Sequence, residues 1–212
     1  MKKVLLILFI FCSPVFMVSA QEPIKILLVP GHDDKDWWMK EKITNGDFII
    51  KKGTPHNTAS KDVSIILHGI NKWANENEMD AVVHVHFNDY HRPNKWIIGD
   101  RKGFAVYMPE EQMVNSTTSA NFAKNIFKKL KTKYTTSNYE GEKGGLVASQ
   151  SLIALGSNDT LLPTVRSVLI EYGYIYRFGN KTSRQKAYDT FTNLTVTGIK
   201  DYFLSRPLIG LK

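Results

Sequence analysis

The chain has 212 residues and a formal net charge of +8, a size suited to one domain plus a leader. Its single cysteine, Cys12, lies near the N-terminus, so the rest of the chain can hold no disulfide, thiol nucleophile or thiolate metal site. The basic balance favours anionic envelope polymers as partners, or serves solubility alone.

Met1-Lys2-Lys3, the apolar run Val4–Phe11 and the small residues Val18-Ser19-Ala20 follow the pattern of a secretory leader. Ser13 and Pro14 interrupt the apolar run well short of the ~20 residues that span a bilayer. Residues 1–20 are therefore expected to be cleaved as a signal peptide, leaving 21–212 as an exported domain of the periplasm or cell envelope. The residues before Cys12 (Phe9-Ile10-Phe11) lack the small side chain expected ahead of a lipidated cysteine, and no later run is apolar enough to span.

Ile24–Val29 reads as a strand stopped by Pro30-Gly31. Trp37–Ile43 reads as a helix closed by Asn45-Gly46, and Phe48–Ile50 as a brief strand. Thr58-Ala59-Ser60 caps a long helix whose apolar face is Val63, Ile66, Leu67, Ile70, Trp73 and Ala74. Ala81–His86 is a strand, followed by a polar loop to Lys102 and a further strand at Gly103–Met108. Phe122, Ile126, Phe127 and Leu130 then mark an amphipathic helix whose lysines, Lys124 to Lys133, form a solvated basic face. Thr135–Ser151 reads as a surface loop, Leu152–Leu155 as a short strand, Ser167–Tyr172 as a strand and Arg184–Phe203 as a closing helix. Strands alternating with helices predict a single three-layer α/β domain with a mostly parallel central sheet flanked by helices.

The run Val168-Leu169-Ile170-Glu171-Tyr172-Gly173-Tyr174 places a carboxylate inside an apolar strand. Burying an unpaired carboxylate costs several kcal/mol, so Glu171 calls for a partner. Two other apolar strands end near histidines, at Gly31-His32 and at His86-Phe87-Asn88. Functional groups collect at the carboxyl ends of strands in open α/β sheets, which is where His32, His86 and Glu171 fall. His84 and His86 are two apart on one strand and project to the same face, His84 as a residue behind the site or a half-buried polar group. Imidazoles and carboxylates are the donors a catalytic zinc takes, with one position left open for water.

Pro30-Gly31-His32-Asp33, Val85-His86-Phe87-Asn88, Gly103-Phe104-Ala105-Val106-Tyr107 and Leu169-Ile170-Glu171-Tyr172-Gly173-Tyr174 resemble, in order, the motifs of zinc-dependent N-acetylmuramoyl-L-alanine amidases. The resemblance runs from Ile24 to about Phe203. It implies that His32 and His86 are zinc ligands, that Glu171 is the catalytic glutamate and that Asn88 shapes the site. It further implies a Zn²⁺ cofactor and peptidoglycan, not nucleic acid, as partner. The reaction it implies is hydrolysis of the amide between N-acetylmuramic acid and L-alanine.

The family's third ligand is a glutamate at the start of a helix after the Pro-Gly-His turn, followed by a strand. Here the interval is short, and a helix-strand unit after residue 36 is not recognisable. Glu41 is the one glutamate between His32 and the long helix, with His56, Asp33, Asp34 and Asp36 as substitutes, so the third ligand stays open. Three readings follow: an active zinc amidase, a degenerate amidase-like domain that binds peptidoglycan or a partner without hydrolysis, and a different zinc hydrolase such as a peptidase.

Overall fold

A computed structural model describes residues 22–31, 48–52, 63–94, 97–179 and 181–204. Six strands form one sheet in the order β2-β1-β3-β6-β4-β5. They are β1 (Ile24–Pro30), β2 (Phe48–Lys52), β3 (Ala81–Asn88), β4 (Ala105–Pro109), β5 (Leu146–Ser149) and β6 (Arg166–Tyr174). All neighbours pair in parallel except β4 and β6, which run antiparallel with Ala105 opposite Glu171. The sheet is thus mixed but mostly parallel, as expected.

Central strands covered on both faces favour apolar side chains, and β1 and β3 follow this apart from Lys25 in β1 and His84, His86 and Asn88 in β3. Ile26 to Val29 and Ala81 to Phe87 are all buried. On one face, Val83, Val85, Val106, Val168 and Ile170 pack against helices α2 (Ser116–Lys131) and α3 (Lys181–Leu204). On the other, Leu27, Val29 and Val82 pack against Ile70 and Ala74 of α1 (Val63–Glu76). Helices therefore flank the sheet on both sides, giving three layers.

Helix α2 follows its sequence pattern: Phe122, Ala123, Ile126 and Leu130 are buried, while Lys124, Lys128 and Lys131 are exposed. Lys129 pairs with Asp201 of α3 at 2.7 Å. The two helices meet at Gly198, where an added Cβ would stand 2.7 Å from the Ile126 α-carbon. Gly to Ala inside a helix ordinarily gains up to about 1 kcal/mol. Here backbone blocks the methyl, so Gly198→Ala is expected to destabilise by about 1–3 kcal/mol instead, read by urea unfolding.

Three elements differ from the sequence expectation. Trp73 is 39% exposed and Asn71 is fully buried in its place. The Asn71 amide donates to the Ile153 carbonyl at 2.6 Å and to Thr160 Oγ1 at 2.9 Å, tying α1 to the segment before β6. Leu152–Leu155 is not a strand, for Ile153–Leu155 is a 3-10 turn closed by Gly156 at a left-handed φ of 97°. The surface loop Thr135–Ser151 contains both β5 and a 3-10 turn at Glu140–Glu142 with a buried carboxylate. A strand, β2, does stand between His32 and α1 and pairs with β1, whereas residues 32–47, the Trp37–Ile43 helix and the Thr58–Ser60 cap lie outside the described residues, as does the leader. Among the described residues no helix is long and apolar enough to cross a membrane.

Candidate functional site

Strand alternation carries Val83, Val85 and Phe87 to the face under α2 and α3, and His84, His86 and Asn88 to the opposite face. His86 and Glu171 sit opposite each other in the β3–β6 ladder. Both lie at the carboxyl ends of their strands, with His86 Nδ1 4.0 Å from Glu171 Oε1. His84, fully buried, is one step deeper, its ring centre 6.3 Å from that of His86.

Gly31 follows β1 directly, and its backbone N–H donates to the Val85 carbonyl at 2.8 Å. Its α-carbon abuts the His86 ring, since a Cβ there would lie 2.8 Å from Nδ1. Only glycine permits so close an approach. His32, the next residue in the sequence, lies outside the described residues, and so do Glu41, His56, Asp33, Asp34 and Asp36.

Beyond His86 the ladder skips a residue: two steps on β3, to Asn88, match three on β6, to Tyr174. Gly173 makes this bulge with a φ of 144°, which other residues adopt only under strain. Regular alternation would put Tyr174 with Tyr172, under α3. The bulge turns it instead toward Glu171, where its hydroxyl reaches Glu142 Oε2 at 3.4 Å.

Glu142 is the main residue that sequence reasoning missed. Its carboxylate is 2% exposed, and Oε1 accepts from Asn88 Nδ2 and the Tyr107 hydroxyl, both at 2.8 Å. Asn88 therefore spends its amide on Glu142. Nothing in Glu140-Gly141-Glu142-Lys143-Gly144-Gly145 signals burial, because the partners come from β3, β4 and β6. Alternation along β4 does place Tyr107 on the face of Glu171, a signal that was there to read. Removing the carboxylate orphans these donors together. Glu142→Ala is expected to cost on the order of 3 kcal/mol in urea unfolding, and Glu142→Gln, which keeps one acceptor, clearly less.

Burial, and then the charge of Glu142, hold the Glu171 carboxyl well above its ordinary pKa. Glu171 Oε2 is buried and accepts no hydrogen bond from a described residue. Burial and the hydrogen bond to Glu142 raise the Tyr107 hydroxyl as well, so it stays a donor throughout the neutral range.

An imidazole beside a carboxylate with an open buried oxygen fits zinc in the kind of donor supplied. Among the described residues no three His, Cys, Asp or Glu side chains group closely enough to hold an ion, so a complete site needs donors from outside them.

Residues 46–200 match the family model described as N-acetylmuramoyl-L-alanine amidase. No curated protein matches the chain. Among solved structures, the apo N-acetylmuramyl-L-alanine amidase Ami1 from Mycobacterium abscessus is similar at 18% identity and a TM-score of 0.63, covering 84% of this chain and 98% of that one. The catalytic domain of CwlV, an N-acetylmuramoyl-L-alanine amidase from Bacillus (Paenibacillus) polymyxa var. colistinus, is similar at 16% identity and a TM-score of 0.58, covering 86% and 100%. An N-acetylmuramoyl-L-alanine amidase from Clostridium difficile 630 gives 16% identity and a TM-score of 0.59, covering 88% and 100%. At these identities the likeness is one of fold.

Proposed function

We propose, starting from the fact that this chain belongs to the N-acetylmuramoyl-L-alanine amidase family, that it is an exported zinc amidase of peptidoglycan. The bond cut joins the lactyl carbonyl of N-acetylmuramic acid to the nitrogen of L-alanine. The single observation supporting this is the pairing of His86 with Glu171, whose buried Oε2 accepts from no described residue, at the carboxyl ends of adjacent parallel strands.

His86, with His32 and Glu41 from outside the described residues, would hold the ion. Zinc, when bound, supplies Lewis acidity toward the scissile carbonyl and makes water acidic enough to deprotonate near neutral pH. Glu171 takes the proton of the attacking water at its carboxylate oxygen. As the carbonyl carbon–nitrogen bond breaks, it returns that proton to the alanine nitrogen, which leaves as an amine. Burial and the charge of Glu142 raise its proton affinity above that of an ordinary carboxylate, which makes it the stronger base. Asn88 and Glu142 keep the wall beside Glu171 fixed, and His84 fills the space behind His86.

The test is digestion of purified peptidoglycan by the zinc-loaded full chain with mass spectrometry of the products. Peptides with a free L-alanine N-terminus and about one zinc per chain are expected. Intact lactyl-alanine amides overturn the reading. The second reading, a degenerate, binding-only domain, predicts pelleting with peptidoglycan that chelator leaves unchanged. For export, N-terminal sequencing of the secreted protein is expected to begin at Gln21.

A further inference from the structure

The segment from Asp89 to Phe104 joins the end of β3 to the start of β4, and both ends lie at the His86–Glu171 edge because β4 runs antiparallel to β6. A cleft of about 330 Å³ opens there, lined by Asp89, Tyr90, His91 and Arg92. Beside it the Arg101 guanidinium lies between two rings, 3.3 Å from the centre of Tyr90 and 3.9 Å from that of Tyr139. The backbone of Arg101 is held too: its carbonyl accepts from the Tyr176 hydroxyl at 3.1 Å and from Arg177 Nε at 3.0 Å. Tyr176 in turn presses on Gly99, where a Cβ would meet its ring at 2.6 Å.

Several other cations sit against acids, among them Arg92 with Asp89, Lys129 with Asp201 and Arg166 with Asp80. Arg101 pairs with no carboxylate among the described residues. Its guanidinium interacts with the Tyr174 hydroxyl, which also reaches Glu142, the carboxylate whose charge acts on Glu171. Arg101 is therefore linked to Glu171 through two side chains, Tyr174 and Glu142.

We infer that Arg101 binds a carboxylate on the peptide side of the substrate and makes the enzyme select acidic stem peptides. The inference rests on the amidase reading. With both faces of the guanidinium covered, a ligand can approach only in its plane, along the N–H edge that matches a carboxylate through two parallel hydrogen bonds. The same coverage argues against a sugar, because the tyrosine faces that would stack on one are turned to the arginine. Clamped on both faces and pinned at the backbone, the side chain has little freedom left to lose on binding.

The test is calorimetry on the full chain carrying Glu171→Gln, in which turnover is expected to be too slow to interfere. The probes are N-acetylmuramoyl-L-alanyl-D-isoglutamate and the corresponding isoglutamine, which differ only in a carboxylate against its amide. The acid is expected to bind about tenfold more tightly, as a charge-assisted pair does. Arg101→Gln is expected to bring the ratio close to one, and Arg101→Lys to leave it intermediate. Equal binding of the two probes, binding of neither, or a full ratio retained in Arg101→Gln overturns the inference. Should Arg101→Gln lower the melting temperature, Arg101→Lys decides, and an undiminished ratio there overturns it as well. The amidase reading is judged apart, by cleavage in the chain with Glu171 intact: an acid preference without cleavage sinks that reading and leaves the carboxylate site standing.

Discussion

Glu171→Gln is expected to lower kcat on muramoyl peptides by about 10²–10⁴-fold. The same change is expected to stabilise the metal-free protein at neutral pH by about 1–3 kcal/mol. Both effects have one source. Burial and the nearby charge of Glu142 raise the Glu171 pKa in the folded chain, while in the unfolded chain the carboxyl titrates near its ordinary value of about 4.3. Between those two values the folded state holds a proton that the unfolded state has released. Stability therefore falls as pH rises from the unfolded value, and goes on falling until pH passes the folded one. Glutamine has no such proton, so its stability curve lacks that slope. Urea unfolding of chelator-treated protein between about pH 4 and 8 is expected to show the variant's advantage widening with pH. An advantage that ignores pH removes the buried charge as its cause, and an unchanged kcat removes Glu171 as the base.

Gly31→Ala is the second substitution with a large expected effect. The new methyl would stand 2.8 Å from His86 Nδ1 and 2.9 Å from Cγ. The ring cannot move freely away, being buried with Glu171 close by at 4.0 Å. Either the imidazole or the backbone at Gly31 must shift by some tenths of an ångström. Such overpacking costs about 1–3 kcal/mol of stability. A displacement approaching 1 Å at a reacting centre costs up to about 10²-fold in rate. Gly69→Ala is the control: it lies in α1 with nothing within 4 Å of its Cβ position, and is expected to be neutral or to stabilise by up to about 1 kcal/mol. Equal zinc content and kcat in both variants would show that Gly31 is a turn residue and nothing more.

Much of this was legible in the sequence because single strands carry it. A buried carboxylate in Leu169-Ile170-Glu171-Tyr172 and a histidine in Val85-His86-Phe87 are anomalies of local pattern, and local pattern is what a sequence displays. The three-layer fold followed from the same alternation of strands and helices. What escaped was assembled from distant segments. Glu142 comes from a turn with no apolar signal and is buried only because Asn88, Tyr107 and Tyr174 converge on it. Tyr174 escaped because strand periodicity predicts the wrong face for it, and the Gly173 bulge reverses the phase. Leu152–Leu155 has a strand's composition, yet Gly156 and the Asn71 amide close it into a turn. Trp73 misled in the opposite sense, since the helix buries Asn71 where its carboxamide ties down the neighbouring segment.

The antiparallel entry of β4 has a consequence for how this molecule can change over time. Because β3 ends and β4 begins at one rim, the segment from Asp89 to Phe104 has both feet on the same edge of the sheet. Lengthening or shortening it leaves strand register untouched, and the cost of a longer closed loop grows only slowly. His86 and Glu171 stand on strands pinned from both sides, whereas Arg92 and Arg101 ride on the replaceable segment. Reaction and preference are thus carried on separate pieces of chain joined through Tyr174 and Glu142, and a graft of this one segment from a relative can exchange the preference while leaving His86 and Glu171 in place.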